Sequence, residues 1–206
     1  MVAAIIRRMT PVDEPVREDA RTTARPMRAD ARRNRERLLA EARAAFLEQG
    51  TETSLEHIAS RAGVGIGTLY RHFPTREALL EALLRDRFDE LAAAGRALLD
   101  HRCARTALFA WTRDFAESST TYQGLAHSLM TTLLDESSAL HASCSSLRDA
   151  GLALLARAQD SGEIRDDVDG TEFLTLVFGV ASAHEHAPDT AVDRLLTVLF
   201  DGLRPR

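Results

Sequence analysis

Apolar residues recur along this chain with the spacing of helical faces and never with the strict alternation of strands. Leu38, Leu39, Ala42, Ala45 and Phe46 mark a first face, and Gly50 supplies a stop after it. Leu55, Ile58, Ala59 and Ala62 then give the full i, i+3, i+4, i+7 set. Thr53-Ser54-Leu55-Glu56 stands before that set as a capping box, with Thr53 as the cap and Glu56 reaching back. Gly63 ends the segment and Val64-Gly65 makes a tight turn. Ile66, Leu69, Tyr70 and Phe73 repeat the period. Two short amphipathic helices joined by a glycine-containing turn of three to four residues form a helix-turn-helix.

Pro74-Thr75 breaks and restarts the chain, and Thr75 is placed to cap a fourth helix. Its stripe of Leu79, Leu80, Leu83, Leu84, Phe88 and Leu91 would tie this head to the rest of the chain. Further helices are expected at 104–119, 122–134, 138–161, 169–184 and 189–203, with Gly162 as a stop and Asp169-Gly-Thr-Glu172 as a second capping box. The pattern predicts an all-α protein. A three-helix helix-turn-helix domain over 27–75 joins a larger helical domain over 76–206, after an N-terminal extension, 1–26, expected to be disordered.

Charge sharpens the division. The net charge of −5 argues against a nucleic-acid partner until it is split along the chain. Residues 21–76 carry eleven Arg against six acids, a net +5, whereas residues 91–206 carry ten Arg against sixteen acids, a net −6. A basic head on an acidic body follows. All 26 basic residues are Arg, the better fork for phosphate. No apolar run approaches the roughly 20 residues of a membrane span, and a cytosolic protein with no membrane partner is expected. Cys103 and Cys144 lack metal-type spacing and read as ordinary buried thiols.

The chemistry concentrates in "AGVGIGTLYRHFPTREALL". If the third helix lies in a DNA major groove, Leu69 and Phe73 point inward. Gly65 and Gly67 let the helix start approach a sugar-phosphate wall. Arg71 can then fork onto guanine, and Thr68 can touch phosphate or a thymine methyl. Tyr70 and His72 offer hydrogen bonds to backbone phosphate, and Arg76 adds a charge beside the same strand. Tyr70 also fits the apolar stripe as a core residue, and His72 fits a surface or capping place. Arg28, Arg32, Arg33 and Arg35 form an arm that could enter an adjacent minor groove.

"TSLEHIASRAGVGIGTLYRHFPTREALL", preceded by "RERLLAEARAAFLEQG", resembles the N-terminal DNA-binding domain of TetR-family transcriptional regulators over about residues 32–80. That resemblance implies phosphate contacts from Tyr70, His72, Arg76 and Thr53 or Ser54, and a groove-facing side built from Ile66, Gly67, Thr68 and Arg71. The chain departs from the family pattern at the third-helix cap, where Gly65 stands in place of the frequent Ser or Thr, and at Arg76, which replaces a frequent Lys.

"ALFAWTRDF", "YQGLAHSLM", "LLARAQDSGEIRDDVDGTEFL" and "LLTVLFDGLRP" resemble the C-terminal domain of the SbtR-like group. The family implies a homodimer built on the last two helices, a near-palindromic operator in double-stranded DNA and a small-molecule effector that releases a repressor. Residues 173–183 are apolar nearly all round, and Leu195, Leu196, Leu199 and Leu203 supply a matching stripe. Apolar helix faces make Phe109, Trp111, Phe115, Leu129, Met130, Leu133, Leu152 and Phe173 the candidate lining of an effector cavity, with Trp111 foremost for its single polar handle. The alternative is a helical protein-interaction module that has lost sequence-specific DNA binding.

Neither catalysis nor a cofactor is expected. There is no Ser-His-Asp set, phosphate loop or metalloprotease motif. His141, Cys144, His184 and His186 lack a paired ligand motif, and "DDVDG" places Val177 where a calcium loop needs Glu.

Overall fold

A computed structural model describes residues 24–50, 53–128, 132, 135–186 and 191–205. Among them stand eight helices and no strand: α1 (Ala24–Gln49), α2 (Leu55–Arg61), α3 (Ile66–His72), α4 (Arg76–Leu98), α5 (Ala104–Ser128), α6 (Ala139–Asp160), α7 (Gly170–His186) and α8 (Val192–Gly202). No helix among the described residues is long and apolar enough to cross a membrane.

Local chemistry accounts for most helix ends. Gly50 and Gly63 take φ of +79° and +65°, left-handed values that end α1 and α2 and that only glycine reaches without strain. Thr75 Oγ1 accepts the Ala78 amide at 3.1 Å and caps α4. The box ahead of α7 closes in both directions. Glu172 N donates to Asp169 Oδ1 at 2.8 Å, and Asp169 N donates to Glu172 Oε2 at 2.9 Å.

Three boundaries differ from the sequence expectation. Helix α1 is already under way at Ala24, so residues 24–26 are not part of a disordered extension, while 1–23 lie outside the described residues. The cap of α2 is Ser54, whose Oγ accepts the His57 amide at 3.1 Å. Thr53 is instead buried, its hydroxyl donating to the Gly50 carbonyl at 2.9 Å. Helix α5 runs through the expected break at 119–122 and continues to Ser128.

Two apolar clusters organise the chain. The first gathers Leu38, Ala42 and Phe46 of α1, Leu55 and Ile58 of α2, and Leu69 and Phe73, together with Leu79, Leu80, Leu83 and Leu84 of α4 and Leu140 of α6. The head's core therefore continues past residue 75 into α4 and takes in one residue of the body. The second cluster centres on Trp111, with Leu108, Leu154, Phe173, Leu196 and Phe200 around it. Phe88 packs against both, and Leu91 belongs to the second, so the α4 stripe joins head to body as its periodicity predicts.

Candidate nucleic-acid interface

Burial of Leu69 and Phe73 fixes which side of α3 faces out. The opposite side presents Tyr70, 45% exposed, and Ile66, 36% exposed, with Gly65, Gly67 and Arg71 exposed beside them and Thr68 and His72 half-buried. Tyr70 is thus not a core residue. Gly65 caps α3 with no side-chain hydrogen bond. A Cβ added at Gly65 or Gly67 would meet no atom within 4 Å, so packing inside the chain does not require glycine at either place.

The arginines of the head divide by what holds them. Arg61 donates to Glu41 at 3.0 Å and to Glu48, clamping α2 to α1. Its hydrogen bonds to Glu48 and then Glu41 raise the guanidinium pKa, and the same contact lowers that of Glu48. Arg32 pairs with Glu36 at 3.5 Å, Arg33 with Asp30, and Arg35 stacks over the Phe73 ring at 5.5 Å. The side chain of Arg28 lies outside the described residues. Arg76 donates to the Thr53 carbonyl at 2.7 Å and so braces the start of α4 against the entry to α2. Arg71 makes one bond, from Nε to the Gly67 carbonyl at 3.2 Å, and has no carboxylate partner among the described residues. Arg71 faces outward with its terminal nitrogens unbonded among the described residues. Ser54 is exposed and Arg76 half-buried, but Thr53 is turned inside.

Sequence reasoning missed a set of contacts that join α1, α4 and α5. Arg43 of α1 forks onto Glu90 of α4, Nη2 to Oε1 at 2.9 Å and Nη1 to Oε2 at 3.4 Å. Arg87 also holds Glu90, at 3.2 Å, and reaches Ser118 Oγ at 2.9 Å and the Asp114 carbonyl at 3.4 Å on α5. Burial opposes the charge on Glu90, yet Arg43 and Arg87 outweigh it and hold the carboxyl below its usual range. No local pattern announces a pair separated by 47 positions.

Among the described residues, the expected effector lining divides between packed core and an open cleft. The Trp111 indole N–H is spent on the Leu91 carbonyl at 3.0 Å, and its ring fills the room left by Gly95 and Gly151. Phe115 stacks on Trp111 at 5.9 Å and meets the Phe178 ring edge-on at 5.2 Å. Phe173 is fully buried, and Leu152 is half-buried against Gly170. Leu129, Met130 and Leu133 lie outside the described residues. Phe109 borders an open cleft of about 750 Å³ that it shares with Cys103, Arg105, Phe200 and Arg204. There Glu163 accepts the Cys103 thiol at 3.1 Å and the Ala104 and Arg105 amides at 3.1 Å each, capping α5. The thiol and then the two amides hold its carboxyl down at about 2. Cys103 is therefore part of a cap, whereas burial pushes up the pKa of the half-buried Cys144.

The last two helices leave apolar surface outward. Leu176 is 45%, Phe178 57% and Val198 65% exposed, with Gly179 open beside them. Along the expected α8 stripe, Leu196 and Leu203 are buried in the core, Leu199 packs against it half-buried, and Leu195 is half-buried.

Residues 38–83 match the family described as bacterial regulatory proteins, tetR family, and residues 103–205 match the transcriptional regulator SbtR-like C-terminal domain. A TetR transcriptional regulator from Streptomyces coelicolor superposes with a TM-score of 0.68 at 38% identity, over 83% of this chain and 98% of that one. A TetR regulatory protein from Mycobacterium vanbaalenii gives 0.68 at 36% identity, over 87% and 100%. An HTH-type transcriptional regulator of Staphylococcus aureus strain USA300 is 46% identical over 54 residues, which are 26% of this chain and 29% of that protein.

Proposed function

Since the chain belongs to the TetR family of transcriptional regulators, we propose that it acts as a homodimeric repressor that grips a near-palindromic operator through α3 and is released by a small apolar or amphipathic effector. The observation that carries this reading is the outward face of α3, where Tyr70 and Arg71 stand exposed over a helix start whose two glycines no internal packing demands. A groove just wide enough for one helix rewards that combination, because a bare helix start can come close to a phosphate wall. Arg71 is assigned to base reading, with Ile66, Gly67 and Thr68 on the same side. Tyr70, His72 and Ser54 are assigned to phosphate. Arg76 contributes a charge nearby while bracing the head, and Arg32 belongs to the arm.

The exposed Leu176, Phe178 and Val198 support dimerisation through α7 and α8, which would remove them from water and place two heads on one duplex. An effector that binds better to a head separation misfitting the operator would lower DNA affinity by that difference.

The test titrates the purified protein against duplexes flanking its own coding region and against random duplex, at two salt concentrations. Tight binding to one near-palindrome at two or more chains per site, falling with salt by about 0.9 log units per log unit for each phosphate neutralised, is expected. Equal, weak binding everywhere, with no sequence recovered from a random pool, would replace the repressor with an interaction module.

A further inference from the structure

We propose that Arg43, Glu90 and Arg87 form a bracket that positions the DNA-reading head on the body and so sets which separation of half-sites the dimer accepts. The inference rests on the DNA-binding reading above and adds to it the determinant of operator spacing.

Two kinds of contact hold the head to the body. The apolar one, Leu79 to Leu84 against α1 and α2 with Leu140 from α6, is strong but non-directional, and it resists separation more than tilt. The polar one has fixed directions. Arg43 puts two nitrogens on the two oxygens of Glu90, at 2.9 and 3.4 Å, and such a fork defines an angle as well as a distance. Glu90 is not free to follow Arg43, because Arg87, three residues earlier on the same helix, holds its Oε2 at 3.2 Å. Arg87 is in turn anchored on α5 by Ser118 Oγ at 2.9 Å and the Asp114 carbonyl at 3.4 Å. An unbroken polar chain therefore runs from α1 of the head, across α4, to α5 of the body. Trp111, one turn before Asp114 on α5, donates to the carbonyl of Leu91, next to Glu90, and ties the same stretch of α4 to α5 a second time.

Spacing is where such a bracket would be felt. Moving one half-site by a single base pair displaces it by about 3.4 Å and turns it by roughly 34° around the duplex. A head pinned at one tilt cannot follow both changes, whereas a head held only by apolar packing follows more easily.

The experiment uses the full-length protein and duplexes carrying the half-site pair that the wild type selects, at that separation and one base pair shorter or longer. The wild type is expected to discriminate by about tenfold or more. Glu90→Gln and Arg43→Gln should each cut that ratio to about threefold or less while leaving base preference within a half-site unchanged, and the double variant should lose little more than either single one. Arg43→Lys, which keeps the charge without the fork, should lie between. A variant that keeps the wild-type ratio, or weakens every spacing equally, overturns the bracket. Both substituted side chains are partly solvent-exposed, and thermal unfolding of each variant separates a lost fold from a lost tilt. If the wild type selects no paired half-sites, the DNA-binding reading itself fails; if only the variants keep the wild-type ratio, the bracket fails alone.

Discussion

The outward face of α3 and the outward face of α7 and α8 both expose large side chains to solvent, yet they are built from opposite materials. The first shows Tyr70, Arg71 and two bare glycines, and the second shows Leu176, Phe178 and Val198. A surface prepared for phosphate and base edges pays little for waiting in water, since its groups are already hydrated. In the proposed reading a surface of large apolar side chains is instead kept covered by a second copy of the chain. On that reading the difference teaches that one end of this molecule binds and releases while the other stays bound.

Substitutions can break that contrast at graded cost. The largest effect is expected in the core of the body, from Trp111→Ala. The indole fills the space over Gly95 and Gly151 and satisfies the Leu91 carbonyl, so its removal should cost about 3–5 kcal/mol in denaturant unfolding. Phe178→Glu comes next. A carboxylate in a covered apolar seam should weaken self-association by about 2 kcal/mol or more, read as monomers in sedimentation at concentrations where the wild type is paired. Arg71→Ala should cost about 1–3 kcal/mol on the selected site and relax the preference at one base pair, with dimerisation unchanged. Equal loss on random duplex would demote Arg71 to a phosphate contact.

The smallest effect is one of pH. Because Glu163 is held down at about 2 in the folded chain, its contribution is fully present above the ordinary glutamate range and is lost as pH falls from about 4.3 toward 2. Glu163→Gln should lower stability at neutral pH and flatten that acid limb in pH-dependent unfolding. An unchanged limb would leave the Cys103 and amide contacts without energetic weight.

The head was legible because its signals are local. Period, glycine stops and the Thr75 cap lie within a few residues of what they determine, and α2, α3 and the inward turn of Leu69 and Phe73 follow from them. Even so, adjacent hydroxyls exchanged duties: Thr53 bent back to Gly50 and Ser54 took the cap, a choice set by the turn and not by residue type. The body was legible as helices but not as a site. Apolar periodicity says that Trp111, Phe115 and Phe173 face inward, and it says nothing about whether other side chains or a cavity meet them there. Polar contacts across the fold left no trace at all. Arg43 and Glu90 look like ordinary surface charges until α1 and α4 are laid side by side.

Trp111 is the single tryptophan of the chain, and its indole is buried with its N–H on α4 at the point where the head is braced. The protein thus carries its own optical gauge. Any ligand or duplex that shifts α4 against α5 must disturb the emission of one fluorophore, so the coupling of head to body can be read in the unlabelled, unmodified molecule.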